Sequence, residues 1–186
     1  MNKQELKEII EEEKKIYIRG GYHFQRYTHG RLYVIWRFLS YYRLSQFYRE
    51  EQNKCSGIQK IIAKIKLRYF TRQKNIYSEK CGIEISNGVR IGRRLRMWHG
   101  GVVINAHLGD DCLIHGNNVL GNKGVYPFDQ LPTLGNHVDV GVGAVIIGKI
   151  EIADDCRIGA NAVVTKSFTT PGSVIVGIPG RLLEKG

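Results

Sequence analysis

The chain has 186 residues, 42% of them hydrophobic, and a formal net charge of +11 at pH 7. That length suits one domain, or a small domain with an appendage, and the apolar content is enough for a packed core. No apolar run is long enough to cross a membrane, and residues 1–15, rich in Glu and Lys, do not read as a secretory signal.

The charge is uneven. Residues 1–80 hold 18 Lys and Arg against 8 Asp and Glu, whereas residues 81–186 hold 10 against 9. Residues 2–15 predict an exposed helix with one narrow apolar stripe, Leu6, Ile9 and Ile10. Gly20-Gly21 breaks it, and residues 22–29 have no clear period. Residues 31–51 predict a second helix with Leu32, Ile35, Trp36, Leu39, Tyr42 and Phe47 on one broad face. A third, over residues 58–73, is expected to turn Ile58, Ile61, Ile62, Ile65 and Phe70 inward and Lys60, Lys64, Lys66, Arg68 and Arg72 outward. Residues 1–75 therefore read as a helical segment and 76–186 as a separate domain. Two roles are open for the helices: a cap over the end of that domain, or peripheral contact with an anionic membrane. Nucleic acid is not an expected partner, because the aromatics sit on faces meant for burial and no recognition motif is present.

From Ile85 to Thr165 a branched aliphatic recurs every sixth residue. The clearest run is Leu134, Val140, Ile146, Ile152, Ile158, Val164, preceded by Val102, Leu108, Ile114, Leu120 and by Ile85, Ile91, Met97. Glycine often follows the aliphatic, and four residues after it stands a small or aliphatic residue such as Ala106, Cys112, Ala144, Cys156 or Ala162. Neither a helix nor an alternating strand has this period. A fixed hexad with a turn in each unit predicts a parallel β-helix whose short faces stack their aliphatics inward.

The hexads break phase twice, between Met97 and Val102 and between Leu120 and Leu134. Loops at such breaks are where function is sought. His99 lies in the first break, before Gly100-Gly101, and neutral imidazole is a competent general base near pH 7. A base needs an orienting partner, for which Glu84 is the candidate. His107, His115 and His137 occupy outward or corner positions. A zinc site drawn from His99, His107 and His115 is disfavoured by their spacing, and no metal is expected. The four cysteines, Cys55, Cys81, Cys112 and Cys156, form no metal-type pairs and suit a reducing compartment. Lys166 and Arg181 could pair with phosphates at the end of a stretch of small residues.

Gly82-Ile83-Glu84-Ile85, Ile91-Gly92 and His99-Gly100-Gly101-Val102-Val103-Ile104-Asn105 closely resemble the hexapeptide-repeat acyltransferases. So does the closing stretch, Ile158 to Lys166 followed by Val176-Gly177-Ile178-Pro179-Gly180-Arg181. The resemblance covers residues 76–186. Its nearest branch is serine acetyltransferase together with the similar O-acetyltransferases of capsule and lipopolysaccharide gene clusters. It implies a mostly β fold, a left-handed parallel β-helix assembled as a homotrimer, with acetyl-CoA as co-substrate in clefts between subunits. The cysteine pattern makes a reducing cytoplasm the expected location, and the basic helices would put any membrane contact at its inner face. His99 would be the base and Glu84 its partner, where serine acetyltransferases usually carry Asp. Val142, Ala160 and Thr165 would contact the pantetheine arm, and Lys166 and Arg181 would approach the CoA phosphates.

Two departures bear on the acceptor. Trp98 stands where serine acetyltransferases carry Asp, and Leu131 where they carry a second His. Both changes remove charge, so the expected acceptor is a saccharide hydroxyl of a surface polysaccharide or its precursor, bound by Trp98, Asn105, Asn117, Tyr126 and Asp129. The alternatives are serine O-acetylation and N-acetylation of an amino-sugar nucleotide.

Overall fold

The computed structural model describes residues 1–18, 30–124 and 130–183. The chain divides into two compact units, Met1–Gly82 and Ile83–Gly186. The first is helical, so "mostly β" holds for the second unit alone.

In the first unit α1 (Lys3–Tyr17) begins on a capping box. Asn2 Oδ1 accepts from Glu5 N at 2.8 Å while the Glu5 carboxylate accepts from Asn2 N at 3.2 Å, which satisfies two otherwise orphaned amides. Its buried stripe, Leu6, Ile9, Glu13 and Tyr17, packs on α2 (Arg31–Lys54). Burying Glu13 is possible because Arg43 of α2 donates to it from Nη2 at 2.6 Å and Nε at 3.2 Å. Helix α3 (Gly57–Cys81) packs along α2 through rings: Phe70 lies 5.5 Å from Tyr48, and Tyr77 lies 5.4 Å from Tyr41.

Helix α3 differs from expectation in two ways. It runs past Gln73 to Cys81, since nothing breaks it before Gly82, which caps it at φ +65°. Its isoleucines also face the other way. Ala63, Phe70, Lys74 and Tyr77, spaced seven, four and three apart, form the stripe toward α2. Ile58, Ile61, Ile62 and Ile65 are 46–69% exposed. No described helix is long and apolar enough to cross a membrane.

The second unit is a three-sided stack of parallel strands. One side holds β1 (Ile83–Ile85), β3 (Val102–Ile104), β6 (Val119–Gly121), β9 (Val145–Ile147) and β12 (Val163–Val164). A second holds β4 (His107–Leu108), β7 (Thr133–Leu134) and β10 (Glu151–Ile152). The third holds β2 (Arg96–Met97), β5 (Leu113–Ile114), β8 (Asp139–Val140), β11 (Arg157–Ile158) and β13 (Val174–Val176), closed by the antiparallel β14 (Arg181–Leu182). Each side stacks one inward column. The first is Ile85, Ile104, Leu120, Ile146, Val164, and the third is Met97, Ile114, Val140, Ile158, Ile175. All ten side chains are at most 2% exposed. Burying each contributes about 1.5–3 kcal/mol, so the hexad is the main source of the unit's stability.

The pairing register corrects the phase read from the sequence. Ile104, not Val102, continues the inward column, because Ile104 pairs with Ile85 and Leu120 while Val102 pairs with Ile83 at the corner. From Met97 to Ile104 the chain takes seven residues where a regular hexad takes six, and from Ile104 to Leu108 only four. The first break is thus one extra residue at the corner holding His99. The two-residue shortfall falls at the next corner, at Asn105.

Candidate functional site

The site is built on the corner between the third and first sides. There Trp98 lies level with His115 and Gly141, and Gly101 lies level with Asn117, Gly143 and Asn161. Between Trp98 and Gly101 the upper coil has two residues, His99 and Gly100, where the coils below have one: Gly116, Val142 and Ala160. His99 is therefore carried on a one-residue bulge, and it is exposed on the outer surface rather than enclosed in the coil. Backbone bonds pin the bulge on both sides: Trp98 N donates to Ile114 O at 3.4 Å, and Asn117 N donates to Gly100 O at 3.0 Å.

Gly116 makes room for it. A β-carbon on Gly116 would lie 2.6 Å from His99 Cβ, and the glycine adopts φ +141°, which no other residue type takes readily. Below it Val142 and Ala160 are both exposed, so the corner continues as an outer track. At the end of the solenoid Lys166 and Arg181 line one cleft of about 500 Å³ with Phe168, Thr170 and Ser173, and the Lys166 ammonium sits 5.5 Å from the Phe168 ring. Thr165 is exposed beside Lys166.

Glu84 is exposed on β1, at the head of the outward column that continues through Val103 and Val119. Trp98 is half-buried. Asn105, on the short corner, donates to Asn122 Oδ1 at 3.5 Å. Asn117 is exposed at φ +52° with its Oδ1 beside Gly101. Tyr126 and Asp129 lie outside the described residues.

The remaining histidines are tied into the scaffold. His107 Nδ1 accepts from Arg90 N at 2.9 Å, and burial followed by the Arg90 charge lowers its pKa. His115 Nε2 lies 2.9 Å from Asp139 Oδ1, and His137 sits between Asp111 at 3.6 Å and Asp155 at 3.3 Å. Among the described residues no group of three His, Cys, Asp or Glu side chains could hold a metal ion. Burial pushes the Cys112 thiol up to about 11, which leaves it protonated and unreactive.

Sequence reasoning missed Gly116 and Asn118. Asn118 is fully buried in the corner column that otherwise holds Ile83, Val102, Ala144 and Ala162. A carboxamide among apolar residues was the available signal.

No protein-family model matches the chain. Serine acetyltransferase of Helicobacter pylori strain J99 is 47% identical over 107 residues, covering 56% of this chain and 62% of that protein. The crystal structure of Neisseria gonorrhoeae serine acetyltransferase superposes with a TM-score of 0.71 at 26% identity, over 98% of this chain and 68% of that one. Serine acetyltransferase of Brucella abortus, solved in complex with coenzyme A, shares the fold with a TM-score of 0.68 at 21% identity, over 96% of this chain and 66% of that one. The chain therefore has the fold of the hexapeptide-repeat acyltransferases and is similar to serine acetyltransferases. It spans about three-fifths of the length of the Helicobacter relative.

These comparisons overturn the saccharide acceptor and the polysaccharide branch expected from Trp98 and Leu131. That expectation gave two side chains more weight than the rest of the solenoid, and Trp98 is half-buried rather than a free stacking platform. The relatives are serine acetyltransferases.

Proposed function

We propose that the protein is an acetyl-CoA-dependent acetyltransferase that acetylates the hydroxyl of L-serine, with His99 as general base. The observation that carries this is an exposed imidazole raised on a bulge at the head of the corner that holds Gly116, Val142 and Ala160, in a chain 47% identical over 107 residues to a serine acetyltransferase. His99 accepts the hydroxyl proton as the oxygen attacks the thioester carbonyl. The tetrahedral intermediate then collapses, the carbon–sulfur bond breaks, and the proton passes from His99 to the departing thiolate. Backbone amides near Gly100-Gly101 meet the oxyanion, a role worth about 10²- to 10³-fold per donor. No acyl-enzyme is needed.

Glu84 orients the imidazole from its other nitrogen. Val142, Ala160 and Thr165 line the path of the pantetheine arm, and Lys166 and Arg181 pair with the CoA phosphates. Asn105 and Asn117 contact the acceptor. The coil is left-handed, and three copies assemble so that neighbouring solenoids form the cleft, which supplies proximity. The test is thiol release from acetyl-CoA by the purified protein with L-serine. Serine-dependent release supports the reading, and release with amino-sugar nucleotides but not serine overturns it.

A further inference from the structure

We infer that Asn118 is a positioning residue for His99, acting through Gly116; this rests on the reading of His99 as the base. The bulge that carries the imidazole needs a floor unlike the other corners of the solenoid. At those corners Val142 and Ala160 adopt ordinary negative φ, and the turns close on backbone bonds, Ala144 N to Gly141 O and Ala162 N to Gly159 O, both 3.2 Å. Beneath His99, Gly116 is opened to φ +141° and its Cα faces His99 Cβ.

Asn118 holds that open turn. Its Oδ1 accepts from Gly116 N at 2.8 Å, while its Nδ2 donates to Gly141 O at 2.7 Å and to Ala144 O at 3.2 Å on the next coil. The side chain is 0% exposed, so it acts through the backbone groups it bonds, Gly116 on its own coil and Gly141 and Ala144 on the next. A buried carboxamide with three partners is rigid, since releasing any of them strands a polar group away from water. The Gly116 carbonyl is fixed as well, accepting from Gly143 N at 2.9 Å. The height of the His99 stem above the track is thereby set by a residue that touches neither substrate nor imidazole.

The test uses Asn118→Ala, which installs the residue that Ala144 and Ala162 carry at the same level. We expect the folded protein to bind CoA as before in calorimetry, with the KM for acetyl-CoA unchanged and kcat reduced between about 10- and 100-fold, the range for a base displaced by an ångström or less. The His99 ring resonances move and the pH profile of kcat shifts. Gly116→Ala, which pushes directly on His99 Cβ, gives the same pattern and carries the test should N118A not fold. In a His99→Ala background, N118A changes the residual rate by no more than about twofold. Wild-type kcat with unmoved His99 resonances overturns the positioning role, as does an equal loss in the H99A background. Full turnover by H99A sinks the base assignment instead, and the ring resonances still decide whether Asn118 positions His99.

Discussion

Glu13 of α1 and Arg43 of α2 form an ion pair at 2.6 Å in which the Glu13 side chain is fully buried and the Arg43 side chain is 7% exposed. The pair joins the two helices. Removing one partner leaves a charge without compensation in the helical unit, at a cost of about 3–5 kcal/mol. Glu13→Ala and Arg43→Ala should each lower the urea midpoint followed by far-UV circular dichroism. Replacing both with apolar residues of similar volume should restore most of the loss.

Gly92, Gly109 and Gly135 stack coil on coil with no room for a side chain. A β-carbon on Gly109 would lie 2.6 Å from the Gly135 carbonyl carbon and oxygen, which are backbone and cannot rotate away. Gly109→Ala should cost about 1–3 kcal/mol through overpacking, measured as a lower melting temperature. Gly124→Ala meets nothing within 4 Å, although its φ of +141° still strains a side chain, so it should cost less.

Acid should loosen the solenoid at the corner of Asp111. Hydrogen bonding from Arg94, with Nε at 2.7 Å from Asp111 Oδ1, holds its carboxyl below the usual range, outweighing desolvation, and the Arg94 charge adds to it. A depressed folded pKa gives stability that is present above the unfolded value of 3.8 and lost as pH falls through the folded one. His107 has the same sign at higher pH. Its lowered pKa favours the fold above 6.5, and protonation draws on that stability below it. Arg94→Ala should raise the pH of acid unfolding. The stability lost should be small, about 0.2–1 kcal/mol, because the Arg94 side chain is 36% exposed and solvent screens the pair.

Much of the solenoid was legible because its inward columns are aliphatic in strict register, and His99 announced itself by standing outside them. The phase around it was not legible. Val102 and Ile104 are both aliphatic and both buried, one at a corner and one on a face, so spacing cannot separate them; only pairing with Ile83 and Ile85 does. Helix α3 misled for a related reason. It carries two apolar stripes, and of the residues read as inward Phe70 does meet α2, joined there by Tyr77, while the isoleucines do not. The acceptor was misjudged from Trp98 and Leu131 because two lost charges say what a pocket lacks, not what it binds.

The central claim is that His99 removes the acceptor proton, and steady-state thiol release with acetyl-CoA and L-serine, wild type against His99→Ala, tests it most directly. The variant should fold and bind CoA normally while turning over at least about 10²-fold more slowly, the lower end of general-base effects. Turnover by His99→Ala at the wild-type rate, with CoA binding intact, would contradict it.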